Sequence, residues 1–225
     1  MGSDMLARLL KSPCTARWKD IGRAWADART GELLLRLPSI TQLYLRYDLD
    51  TKRVDFLPQL QHLTVLRLRC PCIPADALLD SLTRCDYLTE LNLNCGFTSA
   101  YWSALLAKLT RIQKLRICGG KLDKLQCFAS GPITESLEDL SISGGNLRPL
   151  EVSHLSSLRR LRSLRLVRCF SSPLKAAAVD SITPPSVLLP ALTALSYHCQ
   201  ADDGGWVSLE RQGPSYEWMQ QRQLH

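Results

Sequence analysis

HLTVLRLRC (residues 62–70) and YLTELNLNC (residues 87–95) carry one pattern twice. In the first, Leu63, Leu66 and Leu68 are spaced L-x-x-L-x-L, and in the second Leu88, Leu91 and Leu93 repeat that spacing. With Ile or Tyr admitted, the triplet recurs at Ile40/Leu43/Leu45, Ile112/Leu115/Ile117, Leu137/Leu140/Ile142, Leu161/Leu164/Leu166 and Leu192/Leu195/Tyr197. The seven first positions are separated by 23, 25, 24, 25, 24 and 31 residues. A near-constant period of this length marks a supersecondary unit that stacks on copies of itself. Residues two apart on a strand share a face. The second and third apolar positions of each copy therefore point into one core, and the residues between them point to solvent.

Period and pattern together resemble the leucine-rich-repeat, or ribonuclease-inhibitor-like, family over about residues 37–200. The resemblance implies an α/β solenoid of about seven repeats, curved and right-handed. Each repeat would supply a short strand to a parallel inner sheet and a helical or irregular segment outside it. The intervening sequence suits this. Ala75 to Leu82 and Ser99 to Leu109 read as short helices, the second with a Ser cap candidate and with Trp102, Leu105, Leu106 and Leu109 on one face. Lys121 to Phe128 and Leu147 to Leu158 are weaker helical stretches. Gly119-Gly120 and Gly144-Gly145 follow two strands where a tight turn can demand positive φ. The family's usual Asn or Cys eight residues after the first Leu is matched at Cys169 alone, so no regular asparagine ladder is expected. The last gap holds Pro173, Pro184, Pro185 and Pro190 and reads as a loop insertion.

Residues 1–36 are expected to form an N-terminal helical cap, because Trp18, Ile21, Trp25 and Ala28 fall at helical spacing. Within them CTARWKDIGRAW (residues 14–25) resembles the end of an F-box, although Met1 to Pro13 lacks the Leu-Pro start of a full one. Residues 201–225 are polar and net acidic, a C-terminal cap or a disordered tail.

Composition bounds the remainder. Of 225 residues 43 are leucine, against 7% Phe, Trp and Tyr together, so the core is built chiefly from one aliphatic side chain. A mean hydropathy of -0.07 and 22% charged residues exclude a membrane bundle and wholesale disorder. The apolar run Met5 to Leu10 is broken by Arg8 and is too short for a secretory signal. With nine cysteines, an odd number, the chain reads as intracellular with reduced thiols, cytoplasmic or nuclear. The net charge of +7 is modest and speaks to association, not to fold.

No catalytic constellation stands out. His62, His154, His198 and His225 lack a recurring partner, and no G-x-S-x-G, P-loop or H-E-x-x-H occurs. Cys70-Pro71-Cys72 with Cys85 and Cys95 lacks the paired C-x2-C spacing of structural zinc sites. Neither metal nor cofactor is expected. The informative residues are those on the solvent side of the strands. They include Tyr44, Arg46, Arg67, Arg69, Glu90, Asn92 and Asn94, then Lys114, Arg116, Asp139, Ser141, Arg165 and His198. Six solvent-side positions are cationic, five of them arginine, and two are acidic. Arginine forks beside Asn, Tyr and Ser suit carboxylate or phosphate groups.

The expected function is a non-catalytic protein–protein interaction module whose mildly basic concave face takes an acidic segment of a partner. One alternative is the substrate-recognition part of an F-box-type ubiquitin-ligase adaptor. Another is an RNA or phosphate-ligand binder, against which the scarcity of inner-face aromatics counts, Tyr44 standing alone.

Overall fold

A computed structural model describes residues 20–26, 30–37, 39–47, 54–69, 75–119, 122–145, 147–169, 189, 191–200, 206–212 and 219–223. The chain divides into two compact units, Met1–Cys95 and Gly96–His225.

The first unit contains strands β1 (Asp20–Ala26), β2 (Gln42–Tyr47), β3 (Val65–Arg69) and β4 (Glu90–Asn94), paired in parallel in chain order. Crossovers carry helix α1 (Thr30–Leu34), a 3-10 turn at Leu57–Gln59 and helix α2 (Ala75–Thr83). Leu43, Leu66 and Leu91 lie in register, as do Leu45, Leu68 and Leu93, and all six are buried. Each fully buried leucine is worth roughly 1.5–3 kcal/mol relative to exposure, so the two columns dominate this core.

The second unit repeats the plan. Strands β5 (Lys114–Cys118), β6 (Asp139–Ser143), β7 (Ser163–Val167) and β8 (Ala194–Gln200) are parallel. Their core columns are Leu115/Leu140/Leu164/Leu195 and Ile117/Ile142/Leu166/Tyr197, all buried. Helices α3 (Ser99–Leu106) and α4 (Ile133–Ser136) and 3-10 segments at Gln126–Phe128 and Pro149–Ser157 form the crossovers. Trp102 is 0% exposed, and its ring meets Phe97 and Tyr101 edge-on at 6.2 and 5.9 Å. After β8 the direction reverses: β9 (Trp206–Gln212) pairs antiparallel with β8, and β10 (Met219–Gln223) antiparallel with β9.

All seven triplets thus lie on strands β2 to β8 or lead into them, with the apolar positions buried, and the fold class is the α/β leucine-rich-repeat solenoid. Three local expectations need correction. Asp20–Ala26 forms a strand and not part of a helix. Pairing with β2 satisfies a row of backbone N–H and C=O groups that a helix laid over the edge would leave open, and this outweighs the helical spacing of Ile21 and Trp25. The F-box-like stretch therefore ends in a strand, and its first residues, 14–19, lie outside the described ones. At α3 the cap position is Thr98, without a side-chain cap bond, and the Ser99 hydroxyl donates instead to Asp123 Oδ1 at 2.6 Å. The stretches at Lys121 to Phe128 and Leu147 to Leu158 contain 3-10 turns and no α-helix. The proline-bearing loop falls in residues 170–188, also outside the described ones.

Strand entry is held by a device that the sequence analysis missed. The carbonyl of Thr41 accepts from the N–H groups of Thr64 and Val65 at 2.8 and 3.0 Å, and from Thr64 Oγ1 at 3.1 Å. The carbonyl of Thr64 accepts from Thr89 and Glu90 in the same way, and that of Arg162 from Thr193 and Ala194. A carbonyl has two lone pairs, so one oxygen can anchor the next turn through two amides and a hydroxyl. The signal was the Thr directly after the first apolar residue at positions 41, 64, 89 and 193.

Strand exit differs along the second unit. Gly119 and Gly144 have φ of 71° and 77°, the positive φ expected there, and Arg168 takes the equivalent place at 52°. One residue later Cys169, fully buried, donates its thiol to Ile142 O at 3.1 Å. The single position matching the family's ladder therefore makes a loop-to-backbone bond.

Candidate partner-binding strand faces

Alternation along each strand turns the residues between the core positions outward, and each unit presents its own strand face.

In the first unit, register places Tyr44, Arg67 and Asn92 in one column, and Arg46, Arg69 and Asn94 in the next. The arginines and Asn94 are exposed, while Tyr44, Asn92 and Glu90 are half-buried. Arg67 Nη2 donates to Glu90 Oε1 at 2.9 Å, an ion pair whose side chains are 51% and 27% exposed. Such a pair contributes roughly 0.2–1 kcal/mol, and its main effect is to neutralise the centre of this face.

In the second unit the central column is Arg116, Ser141, Arg165 and Ser196. Beside it run Lys114, Asp139 and Ser163 on one side and Cys118, Ser143 and Val167 on the other. Lys114, Arg116 and Arg165 are exposed and Asp139 half-buried. His198 is in register with Val167, and its side chain lies outside the described ones. Ser141 departs from the solvent-facing expectation: it is only 7% exposed. Its small side chain lies one strand from an arginine on either hand.

Among the described cysteines, Cys95, Cys127 and Cys169 are buried in the packing. Burial pushes the Cys85 and Cys127 thiols up to about 12 and that of Cys169 to about 11. Thiols so raised carry little thiolate at neutral pH. Cys85 donates to Ser81 O at 3.3 Å, and Cys95 is buried. Cys70 and Cys72 lie outside the described residues. Among the described residues no group of three His, Cys, Asp or Glu side chains could hold a metal ion.

Two further features escaped the sequence analysis. Glu151 is buried, yet its carboxylate accepts from Leu125 N at 3.2 Å and from Arg148 Nη2 at 3.1 Å, bracing two neighbouring crossovers. In the first unit a groove of about 590 Å³ opens between the turns entering β3 and β4, lined by Leu60, His62, Arg84 and Tyr87. Tyr87 and His62 occupy equivalent repeat positions, which the period could have revealed.

No family model matches the chain, and no curated protein matches it. Among solved structures it is similar to an internalin from Listeria monocytogenes, with 14% identity, a TM-score of 0.44 and coverage of 76% of this chain and 52% of that one. It is also similar to an LRR protein of Leptospira interrogans, at 15% identity and a TM-score of 0.41, covering 72% and 51%. A third similarity, to PEPR1 in its PEPR1-AtPEP1 structure, has 19% identity and a TM-score of 0.37, covering 68% and 21%. The chain spans about half the length of the first two and about a fifth of the third. The fold that the strands, registers and crossovers define is that of a leucine-rich-repeat protein. No described helix is long and apolar enough to cross a membrane.

Proposed function

We propose that the chain is a non-catalytic protein–protein interaction module that takes an acidic segment of a partner protein on its strand faces. The observation that carries this is the charge left at the surface of the strands. By register, Arg46, Arg67 and Arg69 outnumber Asp20 and Glu90 on the solvent side of the first unit's strands, and Lys114, Arg116 and Arg165 outnumber Asp139 and Glu210 in the second. Repeat architectures bind through such extended surfaces, and five of the six cations are arginines, whose rigid forks suit carboxylates. None of the five described cysteines is in a disulfide, which supports a reducing cytoplasmic or nuclear setting.

The test is affinity capture with mass spectrometry, wild type beside the triple variant Arg67→Glu, Arg116→Glu, Arg165→Glu. All three residues are exposed, so the variant is expected to keep its circular dichroism spectrum and lose its partner at least tenfold. Unchanged capture by the folded variant overturns the proposal.

A further inference from the structure

We propose that the groove between the turns entering β3 and β4 is a docking site for a proline-rich, uncharged segment of a partner protein, held as a polyproline II helix. The groove is lined by turn residues of the first unit and by no residue of a strand. The inference therefore stands whether or not the strand faces take an acidic segment.

The groove holds about 590 Å³, within the roughly 300–1,000 Å³ of ligand sites. Its apolar lining comes from Pro58 and Leu60 in one turn and Tyr87 in the next. Tyr87 is 57% exposed, more than any other large apolar side chain among the described residues. A ring left this open beside a groove gives a partner a rigid surface to cover at little cost in entropy. His62 holds the place equivalent to Tyr87 one repeat earlier, so a second ring belongs to the same groove.

The chemistry of the lining selects the occupant. It includes one base, Arg84, and one acid, Asp86. A charged segment of either sign would meet a like charge beside its counter-charge, and Asp80, 3.9 Å from Arg84, offsets that base further. An added strand needs a row of free backbone N–H groups. Those of Leu60, Gln61, Leu63, Arg84 and Cys85 are spent on carbonyls of their own turns. An amphipathic helix sets its anchors from i to i+7, about 10 Å apart, and needs an apolar floor over that length, where this groove presents one widely exposed ring. A polyproline II segment needs neither. It has no internal hydrogen bonds, so its carbonyls are free to accept, and its pyrrolidine rings pack on aromatic walls. Gln61 and His62 make no side-chain hydrogen bond among the described residues, so both have N–H groups to give to those carbonyls.

The test uses the full chain and short synthetic peptides with proline at i and i+3 and uncharged residues between, beside counterparts with alanine at both places. By fluorescence anisotropy the proline peptides are expected to bind at least tenfold more tightly. The preference should disappear in Tyr87→Ala and weaken in His62→Ala, with circular dichroism showing both folded, and persist in Tyr87→Phe, which keeps the ring. It should also persist in the Arg67→Glu, Arg116→Glu, Arg165→Glu variant, whose changes lie on the strand faces, so the two proposals fail separately. Chemical-shift changes on adding the proline peptide should centre on residues 58–63 and 84–87, a readout that needs no variant. Equal binding of proline and alanine peptides overturns the site. So does a proline preference that Tyr87→Ala leaves intact, a shift map centred elsewhere, or tighter binding of a charged peptide that Tyr87→Ala abolishes.

Discussion

On β3 of the first unit Arg67 has an acid to hold: Glu90 on the next strand accepts from it at 2.9 Å. On β5 of the second unit the equivalent arginine, Arg116, has Ser141 beside it and Arg165 one strand further on. Behind both faces the packing follows one plan, two columns of large apolar side chains in register, leucine over leucine in at least one column of each unit. The difference shows that in a stacked fold the scaffold and the recognition surface are separate choices made on alternate residues of one strand. A strand can keep its stability and change its partner, because the two sets of side chains never share a face.

The equivalence of the buried sides can be broken most forcefully by deleting it. Leu66→Ala in the first unit and Leu140→Ala in the second remove matched, fully buried side chains. Each should cost about 2–5 kcal/mol in urea unfolding. A cost under about 1 kcal/mol at either position would show that one unit's core is loose and that the comparison fails. A smaller effect sharpens the contrast at strand exit, where Gly119 and Gly144 are followed in the series by Arg168 at φ 52°. The left-handed region costs a residue with a Cβ about 1–2 kcal/mol. Arg168→Gly should therefore raise stability by about 0.5–1 kcal/mol, after the added chain entropy of glycine is subtracted. Destabilisation would mean that the arginine side chain, and not the turn, holds this exit.

The smallest effect concerns acid. The Ser99 hydroxyl donating to Asp123 holds that carboxyl below its ordinary value of 3.8. A carboxyl lowered by folding stabilises the protein above its unfolded pKa, and the contribution disappears as pH falls through the folded one. The second unit should thus lose a small increment of stability on acidification below about pH 4. Ser99→Ala should flatten that part of the pH–stability curve, since its main cause is gone. A curve that keeps its slope in Ser99→Ala would assign the acid sensitivity elsewhere.

Much of the fold was legible from the leucine spacing, and the reason is local. Alternation with period two is a property of one strand and needs no knowledge of its neighbours, so the burial of Leu66 and Leu68, or of Leu140 and Ile142, follows from the triplet itself. Positive φ at Gly119 and Gly144 was legible for the same reason. Asp20–Ala26 was misread because its helical spacing was weighed without the open edge of β2, which offers the backbone partners outside its own segment. The candidate site was half legible. Alternation and period supplied the arginine positions, but whether an arginine is neutralised depends on a residue one repeat away in sequence and adjacent only in space, as Glu90 is to Arg67. Glu151, reaching Leu125 across neighbouring crossovers, was hidden in the same way.

The sequence by itself determined the repeated strand, the side of it that is buried and the run of cations on the other side, since each follows from residue order along a single extended segment. Only the tertiary structure decided that Ser141 is nearly buried, that Arg67 pairs with Glu90, that threonine hydroxyls join strand entries, and that Asp20–Ala26 extends the sheet. Those outcomes depend on which turn stacks on which and in what lateral register. Hydrogen bonds and ion pairs reach only about 3 Å, so they are settled by that stacking and not by the order of residues.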